Sequence, residues 1–256
     1  MKYIGIIPAR YASTRFPGKP LVTLQGKTII QRVYEQVAPV FDVTAVATDD
    51  ERIYEHVTNF GGKAVMTGSH HKSGTDRCYE AYCLLGKPGD IVVNVQGDEP
   101  FVQTSQLELI KSCFEGHSDA QIATLVKTIT PDDGLKALLN PNTPKVVVSK
   151  DGYAMYFSRS PIPYVRNAAS EKWLSTHCYY KHIGLYAYRE DVLRQITSLP
   201  QSPLEVAESL EQLRWLENGY RIKVGVTDIE TIGIDTPEDL QRAEDFLRKI
   251  GVKDSK

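Results

Sequence analysis

The sequence predicts an α/β fold in which a mostly parallel, doubly wound sheet carries an antiparallel extension. Through the first part of the chain, short apolar strands alternate with helices, which is typical of a parallel sheet covered on both faces. After about residue 120, strand-like segments are separated by turns rich in Pro, Asn and Asp, which favour hairpin connections. With 256 residues, we predict a single domain over 1–256, with 128–188 as a lid or dimerisation extension.

The elements of the first part follow from apolar runs and from the residues that flank them. Residues Thr48 to Asp50 can cap the start of a helix over Glu51–Phe60, and the pair Gly61 and Gly62 can end it. In chain order, we expect strands over Tyr3–Ile7, Val43–Ala47, Lys63–Met66 and Ile91–Val95, and helices over Thr28–Val37, Glu51–Phe60 and Thr75–Leu85.

The second part holds more strands, and a helix closes the chain. Thr236 precedes a proline and an amphipathic run, a pattern typical of a helix N-cap. We expect strands over Gln121–Lys127, Lys145–Ser149, Tyr153–Ser158, Tyr179–Tyr188 and Arg221–Val226, and helices over Glu190–Ile196, Leu204–Asn218 and Pro237–Ile250.

Composition narrows the classes of function. Hydrophobic content of 41% and charged content of 24% are ordinary for a globular protein. A net charge of −2 argues against a general nucleic-acid binder. We find no apolar stretch of membrane-span length and no secretory apolar region near Met1, so we expect a cytoplasmic protein without a membrane partner.

A basic loop follows the first strand. Arg10, Arg15 and Lys19 lie close together in a segment that also holds three prolines and a glycine. In open α/β sheets, ligands bind beyond the carboxyl ends of the strands. The loop therefore predicts an anion site, although a solvated loop with ordinary surface charges is the alternative.

Two acidic segments complement this loop. Asp98 and Glu99 follow the buried strand that ends near Val95, and Asp235 stands just before the last helix. Beside a triphosphate, such carboxylates suit Mg²⁺, which prefers one or two carboxylates plus phosphate oxygens. The alternative to a metal site is a turn capped by the Asp98 side chain. For Asp235, the alternative is an ordinary polar residue in a loop.

Familiar phosphate-binding motifs are missing from the sequence. The segment Gly26 to Thr28 is similar to the end of a Walker A motif, but Leu21 stands where its first glycine should be. No Gly-x-Gly-x-x-Gly segment follows a strand. These departures argue against a P-loop NTPase and against a dinucleotide-dependent oxidoreductase.

Several motifs together resemble one enzyme family over nearly the whole chain. They are Pro8–Pro20, Ser73–Arg77, Asn94–Pro100, Tyr156–Arg159, Ser202–Glu205 with Glu211–Arg214, and Gly233–Asp239. In this order they resemble the 3-deoxy-manno-octulosonate (Kdo) cytidylyltransferases, or CMP-Kdo synthetases, of lipopolysaccharide assembly. The resemblance implies a nucleotide-diphospho-sugar transferase-like fold, a cytoplasmic homodimer, Mg²⁺ dependence and the reaction CTP + Kdo → CMP-Kdo + diphosphate.

The resemblance also assigns roles to single residues. It implies that Arg10, Arg15 and Lys19 neutralise the triphosphate, and that Asp98 and Asp235 hold Mg²⁺. The residues implied to be catalytic are Arg10, Lys19, Asp98 and Asp235. The residues implied to bind the nucleotide are Ala9, Arg10, Arg15, Lys19, Ser73, Gly74, Arg77 and Asp98, of which Ala9, Ser73, Gly74 and Arg77 form the base pocket.

For Kdo, the resemblance points to later residues, on a strand and a helix. They are Gln96, Arg159, His182, Tyr186, Glu208, Glu211 and Gln212. On a helix over Leu204–Asn218, we expect Glu205, Glu208 and Gln212 to share one face. We expect Val206, Leu210 and Leu213 to form the opposite stripe, directed to the core. A solvated helix face is the alternative for each of these glutamates.

Two other functions stay open at the level of sequence. One is a different CMP-sugar-acid synthetase, acting on sialic acid or on 8-amino-Kdo. The other is a non-catalytic CTP-binding regulator on the same fold. The presence of both Asp98 and Asp235 favours an enzyme, since nucleotide binding alone needs fewer carboxylates.

Overall fold

The computed structural model describes residues 1–13, 15–117, 119–230 and 233–249. The chain forms two compact units. The first unit consists of Met1–Glu108 with Thr231–Lys256, and the second unit consists of Leu109–Glu230. The prediction of one domain with a lid or dimerisation extension over 128–188 stays a prediction.

Strands and helices alternate along the described chain. The strands are β1 Tyr3–Ala9, β2 Thr23–Leu24, β3 Lys27–Thr28, β4 Val43–Thr48, β5 Ala64–Met66, β6 Ile91–Asn94, β7 Ile122–Ile129, β8 Lys145–Val148, β9 Ala154–Ser158, β10 Tyr179–Arg189 and β11 Ile222–Thr227. The helices are α1 Ile29–Val37, α2 Glu51–Asn59, α3 Gly74–Leu84, α4 Thr104–Ser112, α5 Gly134–Leu139, α6 Trp173–Thr176, α7 Glu190–Ile196, α8 Pro203–Glu208, α9 Glu211–Glu217 and α10 Pro237–Lys249.

The first unit contains a parallel sheet in the order β6-β1-β4-β5. Ile6 of β1 is opposite Ala45 of β4 on one side and Asn94 of β6 on the other. Because all four strands run the same way, the residues that follow them emerge at one edge of the sheet. The predicted parallel α/β arrangement is confirmed.

Side-chain caps mark where helices of the first unit begin. The Thr28 hydroxyl accepts a hydrogen bond from the Gln31 amide at the start of α1, and Ser73 accepts one from the Asp76 amide at the start of α3. Each cap satisfies an amide that the helix itself leaves unpaired. The three predicted helices of this region are confirmed within one residue at each end.

The second unit is mainly antiparallel. β10 pairs with β7 and β8, β8 pairs with β9, and β11 runs parallel to β7. The predicted antiparallel strands are thus confirmed. The register of β10 against β7 shifts between Ile183 and Tyr186, which marks a β-bulge.

The single helix expected over Leu204–Asn218 is wrong. α8 ends at Glu208, and Ser209 has a left-handed backbone with φ 50° before α9 begins. The Arg159 guanidinium donates hydrogen bonds to the carbonyls of Glu208 and Ser209, which stabilises this break. Of the stripe expected to be directed to the core, Leu210 and Leu213 are buried as predicted, whereas the prediction for Val206 is wrong, because its side chain lies on the surface with 64% of its area exposed.

Three helices were not expected from the sequence, namely α4, α5 and α6. α5 begins at Gly134, within the segment that the turn residues from Pro131 onward favour as a hairpin connection. The closing helix is confirmed as α10, whereas its predicted last residue, Ile250, lies outside the described residues. None of the described helices combines the length and the apolar character that crossing a bilayer requires.

Candidate active site

The loop after β1 is shaped around Gly18. The Gly18 amide donates a hydrogen bond to the Tyr11 carbonyl, and a Cβ atom on Gly18 would approach the Tyr11 ring to 3.0 Å. Its φ of 70° is also strained for any residue with a side chain. Gly18 therefore closes the loop, and a short 3₁₀ helix with Pro20 at its start then begins at Lys19.

The segment after β6 approaches this loop closely at Gly97. A Cβ atom on Gly97 would lie only 2.8 Å from the Pro8 carbonyl oxygen of β1. Only glycine allows the two backbones to come so near to each other. Asp98 thus emerges next to the basic loop because parallel strands β1 and β6 are neighbours.

Asp235 reaches the same place from the far end of the sequence. The Ile234 amide donates a 2.9 Å hydrogen bond to the Asp98 carbonyl, which places the two aspartates side by side. The Asp239 carboxylate accepts hydrogen bonds from the amides of Asp235 and Thr236, and the Thr236 hydroxyl accepts one from the Asp239 amide. This capping box fixes the segment at the start of α10.

Lys19 lies between the two carboxylates. Its Nζ is 2.6 Å from Asp98 Oδ2 and 2.9 Å from Asp235 Oδ1, and Arg15 Nη2 is 3.3 Å from Asp235 Oδ2. Burial alone would lower the pKa of Lys19, but the carboxylates of Asp98 and Asp235 more than offset this effect and raise it. The two carboxylates therefore converge on one point that already holds a positive charge.

A third carboxyl group adjoins this pair. Burial, with smaller contributions from the charges of Asp98 and Asp235, raises the pKa of Glu99 to about 8. Glu99 is consequently protonated over much of the neutral range. The charge available to a cation here comes from Asp98 and Asp235.

The predicted nucleotide and metal residues line one cavity of about 410 Å³ in the first unit. Among its lining residues are Ala9, Arg10, Arg15, Lys19, Ser73, Gly74, Arg77, Gln96, Asp98 and Asp235. Arg10 is exposed, and the described residues offer its guanidinium no hydrogen-bond or ion-pair partner. Such a cavity, with cations beside two carboxylates, can bind a polyphosphate together with a metal ion.

Among the predicted nucleotide-binding residues that line the cavity, Arg77 is buried, with 1% of its surface exposed. Its Nη1 donates a 2.6 Å hydrogen bond to Thr67 Oγ1, and its Nη2 donates one of 3.0 Å to Asp49 Oδ2. Ser73 and Gly74 begin the helix that carries Arg77, so the base-pocket residues are held by the start of α3.

Two of the predicted Kdo-binding residues lie on β10, in the second unit. His182 Nε2 and Thr124 Oγ1 are 3.1 Å apart, and the rings of His182 and Tyr186 are in contact at 5.2 Å. Tyr186 also packs edge-on against Trp215. Burial lowers the pKa of His182 to about 3, so this imidazole is neutral. Burial, with a further contribution from Glu211, raises the pKa of Tyr186.

Glu205 and Glu208, which were expected to share one helix face with Gln212, have different surroundings. Glu205 is buried and contacts the Arg214 guanidinium at 3.2 Å. Glu208 instead accepts hydrogen bonds from the Ser158 hydroxyl and the Arg159 amide. The reading of these residues as a uniform helix face is therefore wrong, because the break at Ser209 separates α8 from α9.

Gln212 and Glu211 lie on α9. Gln212 is buried, and its amide nitrogen has no hydrogen-bond partner among the described residues. Glu211 accepts a hydrogen bond from Arg214 Nη2 at 2.9 Å. An unpaired buried donor is costly unless a ligand or water pairs with it, so Gln212 is available to a polar ligand.

Arg159, which is half-buried, and Lys145, which is buried, supply positive charge in the second unit. Besides its bonds near Ser209, Arg159 donates from Nη1 to the Pro141 carbonyl at 2.9 Å. Lys145 is fully buried, and its Nζ donates to the carbonyls of Asn140 and Arg159. Burial, the largest effect, lowers the pKa of Lys145.

Sequence reasoning missed two of these charged residues. Lys145 sits at the start of a predicted strand, where nothing in the pattern marks a buried ammonium. In the sequence, Asp49 is one of several candidate caps for α2, but Asp50 is the residue that caps this helix, by accepting a hydrogen bond from the Arg52 amide. Two adjacent aspartates precede α2, although one is enough to cap a helix. The extra carboxylate of Asp49 is the signal in the sequence that this residue has another partner.

Comparisons with known proteins agree with this geometry. A family model described as cytidylyltransferase matches residues 4–224. The 3-deoxy-manno-octulosonate cytidylyltransferase of Phocaeicola vulgatus is 69% identical, over 97% of this chain and 98% of that protein. The protein of the same name from Bacteroides thetaiotaomicron is 66% identical, over 97% of this chain and 99% of that protein.

A solved structure extends the agreement to the fold. It is described as CMP:2-keto-3-deoxy-manno-octonic acid synthetase complexed with CTP. It is 42% identical to this chain, covers 98% of this chain and 100% of its own, and has a TM-score of 0.89. The chain therefore belongs to the cytidylyltransferase family, among the 3-deoxy-manno-octulosonate cytidylyltransferases.

Proposed function

We propose that this protein activates Kdo by the reaction CTP + Kdo → CMP-Kdo + diphosphate, as a step of lipopolysaccharide biosynthesis. The observation that carries the proposal is the meeting of Lys19 with Asp98 and Asp235 in a cavity that also holds Arg10 and Arg15. The names of the relatives that are 69% and 66% identical support the same substrates.

The cations of the basic loop would bind the triphosphate. Arg10 is unpaired among the described residues and faces the cavity, so its charge is free to meet a phosphate oxygen. Lys19 and Arg15 are held near the carboxylates and would be shared between these groups and the phosphates. Stabilising the charge that moves onto the departing diphosphate is the largest contribution that such residues make.

Asp98 and Asp235 suit a bound Mg²⁺. Their oxygens both contact one Lys19 nitrogen, which supports their convergence on a single cation, and two carboxylates plus phosphate oxygens are a set that Mg²⁺ prefers. When bound, Mg²⁺ would offset phosphate charge and lower the pKa of the attacking hydroxyl. The hydrogen bond from the Ile234 amide to the Asp98 carbonyl would keep the two carboxylates beside each other in the proposed reaction.

The chemistry itself is a direct displacement. The anomeric oxygen of Kdo forms a bond to the α-phosphorus, and the bond from that phosphorus to the bridging oxygen of diphosphate breaks. The hydroxyl proton is released to solvent, and the electron pair of the broken bond leaves with diphosphate. We propose no covalent intermediate, so the catalytic residues Arg10, Lys19, Asp98 and Asp235 act by positioning and by charge.

We propose that residues of the second unit recognise the sugar, namely Arg159, His182, Tyr186, Glu208, Glu211 and Gln212. Gln96 lines the cavity of the first unit, and its predicted contact with the sugar stays a prediction. The unpaired buried amide of Gln212 and the neutral imidazole of His182 support binding of hydroxyl groups. Arg159 supports binding of the sugar carboxylate as a fixed positive charge, because three carbonyls hold its guanidinium.

We also propose that the protein is a cytoplasmic homodimer in which 128–188 serves as the lid or dimerisation segment. Three large hydrophobic side chains described in that segment are exposed, Leu139 at 49%, Met155 at 61% and Tyr164 at 72%. A second copy covering them would bury apolar area. Light scattering on the purified protein would test this, and a monomer at all concentrations would contradict it.

The decisive experiment is an assay of diphosphate release with Mg²⁺ and the four nucleoside triphosphates. Each would be paired with Kdo, 8-amino-Kdo and sialic acid. We expect turnover with CTP and Kdo. Preferential turnover of sialic acid or 8-amino-Kdo would make the protein a different CMP-sugar-acid synthetase. Binding of CTP without diphosphate release under any sugar would instead indicate a regulator.

A further inference from the structure

Arg77 is held from one side by two residues that the reaction does not use. Thr67 Oγ1 accepts from Nη1 and Asp49 Oδ2 accepts from Nη2, at 2.6 Å and 3.0 Å. A guanidinium carries five N–H donors. Those that are not turned to Thr67 and Asp49 remain for the cavity that Arg77 also lines.

Both partners come from the edge of the sheet where ligands bind. Asp49 is the first residue after β4, and Thr67 is the first after β5. The Thr67 hydroxyl donates its own hydrogen to the Thr48 carbonyl at 3.2 Å, and the Thr67 amide donates to the same oxygen at 2.8 Å. With its hydrogen so directed, the Thr67 oxygen presents a lone pair to Arg77.

Within the part of the chain that the structure describes, Arg77 is the partner found for the Asp49 carboxylate. The adjacent Asp50 caps α2 and pairs with Arg52 through both carboxylate oxygens. Asp49 instead forms a charged hydrogen bond with a side chain that is almost fully buried. A buried arginine with two fixed partners has one orientation rather than many.

We propose that Asp49 and Thr67 are positioning residues that orient Arg77 so that it accepts cytosine and rejects uracil. This inference rests on the proposed function, in which Arg77 belongs to the base pocket. Arginine can only donate hydrogen bonds. Cytosine presents acceptors at both its carbonyl oxygen and its N3, whereas uracil carries a hydrogen on N3.

A fixed guanidinium would therefore meet a donor when uracil enters. Two donors that face each other in a buried pocket leave both unpaired, and this is the kind of mismatch that gives strong discrimination. If Arg77 could turn away, it would avoid the mismatch and the selectivity would fall. Asp49 and Thr67 prevent that rotation.

The plainer role of Asp49 is to neutralise a buried cation. That role predicts a loss of stability when Asp49 is changed, but no change in the preference between bases. The two roles are therefore separated by the ratio of CTP to UTP affinity. Stability alone does not separate them.

The test is calorimetric binding of CTP and UTP with Mg²⁺ and without sugar. We expect Asp49→Asn, which keeps the shape but removes the charge, to lower the CTP-to-UTP affinity ratio by about tenfold. Thr67→Val should lower it as well, and Thr67→Ser should restore it. Asp50→Asn is the matched control, and we expect it to leave the ratio unchanged even if the melting temperature falls.

An unchanged ratio in folded Asp49→Asn or Thr67→Val protein would overturn the inference. So would a lack of preference for CTP in the unaltered protein. Should Asp49→Asn fail to fold, the pair Thr67→Val and Thr67→Ser decides the question. A protein that prefers CTP but does not turn over Kdo would contradict the proposed function and leave this inference standing.

Discussion

The Lys19 ammonium donates a 2.6 Å hydrogen bond to the Asp98 carboxylate, and only 13% of the Lys19 side chain is exposed. The same nitrogen is 2.9 Å from Asp235. Lys19 thus occupies a position between two carboxylates that would also suit a divalent cation. The Lys19 ammonium offsets charge on both carboxylates at the site where we propose that Mg²⁺ binds.

Replacing Lys19 by methionine should therefore make the stability of the protein depend more strongly on added Mg²⁺. Removing the ammonium leaves Asp98 and Asp235 without their neutralising partner, at an expected cost of about 1–3 kcal/mol in a chelating buffer. We expect Mg²⁺ to raise the melting temperature of Lys19→Met by more than it raises that of the unaltered protein. Thermal unfolding with and without Mg²⁺ measures both effects.

The exposed Lys63 provides the matched control for that experiment. Lys63→Met removes one charge from the first unit without touching the cavity. It should leave the response to Mg²⁺ as it is in the unaltered protein. An equal response in all three proteins would remove Lys19 from the cation position.

Changing Asp98 to asparagine should lower kcat for CMP-Kdo formation by more than about a hundredfold. The side chain keeps its size but loses the charge that we propose to hold Mg²⁺. Asp245→Asn, on the exposed face of α10, serves as the control, and both variants should keep their circular dichroism spectra. Near-normal turnover by Asp98→Asn would take Asp98 out of the metal site.

Arg10→Ala should weaken both CTP binding and transition-state stabilisation. We expect a loss of about 2–4 kcal/mol, which is roughly a 30- to 1,000-fold decrease in kcat/KM for CTP. Arg194→Ala removes an exposed arginine from α7 and should leave the kinetics unchanged. If Arg10→Ala changed only the KM for Kdo, Arg10 would belong to the sugar site instead.

His182 should make the folded protein sensitive to acid. Burial lowers its pKa from 6.5 to about 3, so at mildly acidic pH the unfolded chain binds a proton there that the folded chain does not. Stability is therefore lost as the pH falls from the unfolded pKa towards the folded one. At about pH 5, this single group lowers the free energy of unfolding by about 2 kcal/mol.

His182→Gln should remove that part of the pH dependence. The free energy of unfolding would be measured by urea titration at about pH 7.5 and at about pH 5. Between these two pH values, we expect the decrease for His182→Gln to be smaller than the decrease for the unaltered protein by about 2 kcal/mol. His177→Gln changes an exposed histidine and should behave like the unaltered protein. Parallel losses in all three proteins would show that His182 is not shielded from protonation.

Much of the first unit could be predicted from the sequence because its signals are local. Buried apolar runs end in charged segments, and a predicted cap such as Asp50 directly precedes its helix. The meeting of Lys19 with Asp98 follows in outline from the parallel order of β1 and β6. Their hydrogen bond does not follow, because it depends on the close approach of backbone at Gly97.

The second unit was harder to predict because its decisive contacts are not local. The break at Ser209 depends on Arg159, which lies 50 residues earlier. Helical periodicity over Leu204–Asn218 contains no trace of that partner. The burial of Lys145 likewise depends on carbonyls of other segments, so no pattern along the strand could reveal it.

The backbone bond from Ile234 to the Asp98 carbonyl has a consequence for the order in which the protein can become active. The first unit is discontinuous, since it needs Thr231–Lys256 as well as the beginning of the chain. A ribosome delivers Lys19 of the basic loop 216 residues before Asp235. A nascent chain can therefore display its anion-binding loop long before both aspartates can face each other. On the proposed chemistry, the enzyme stays inactive until Asp235 has been translated and has reached Asp98.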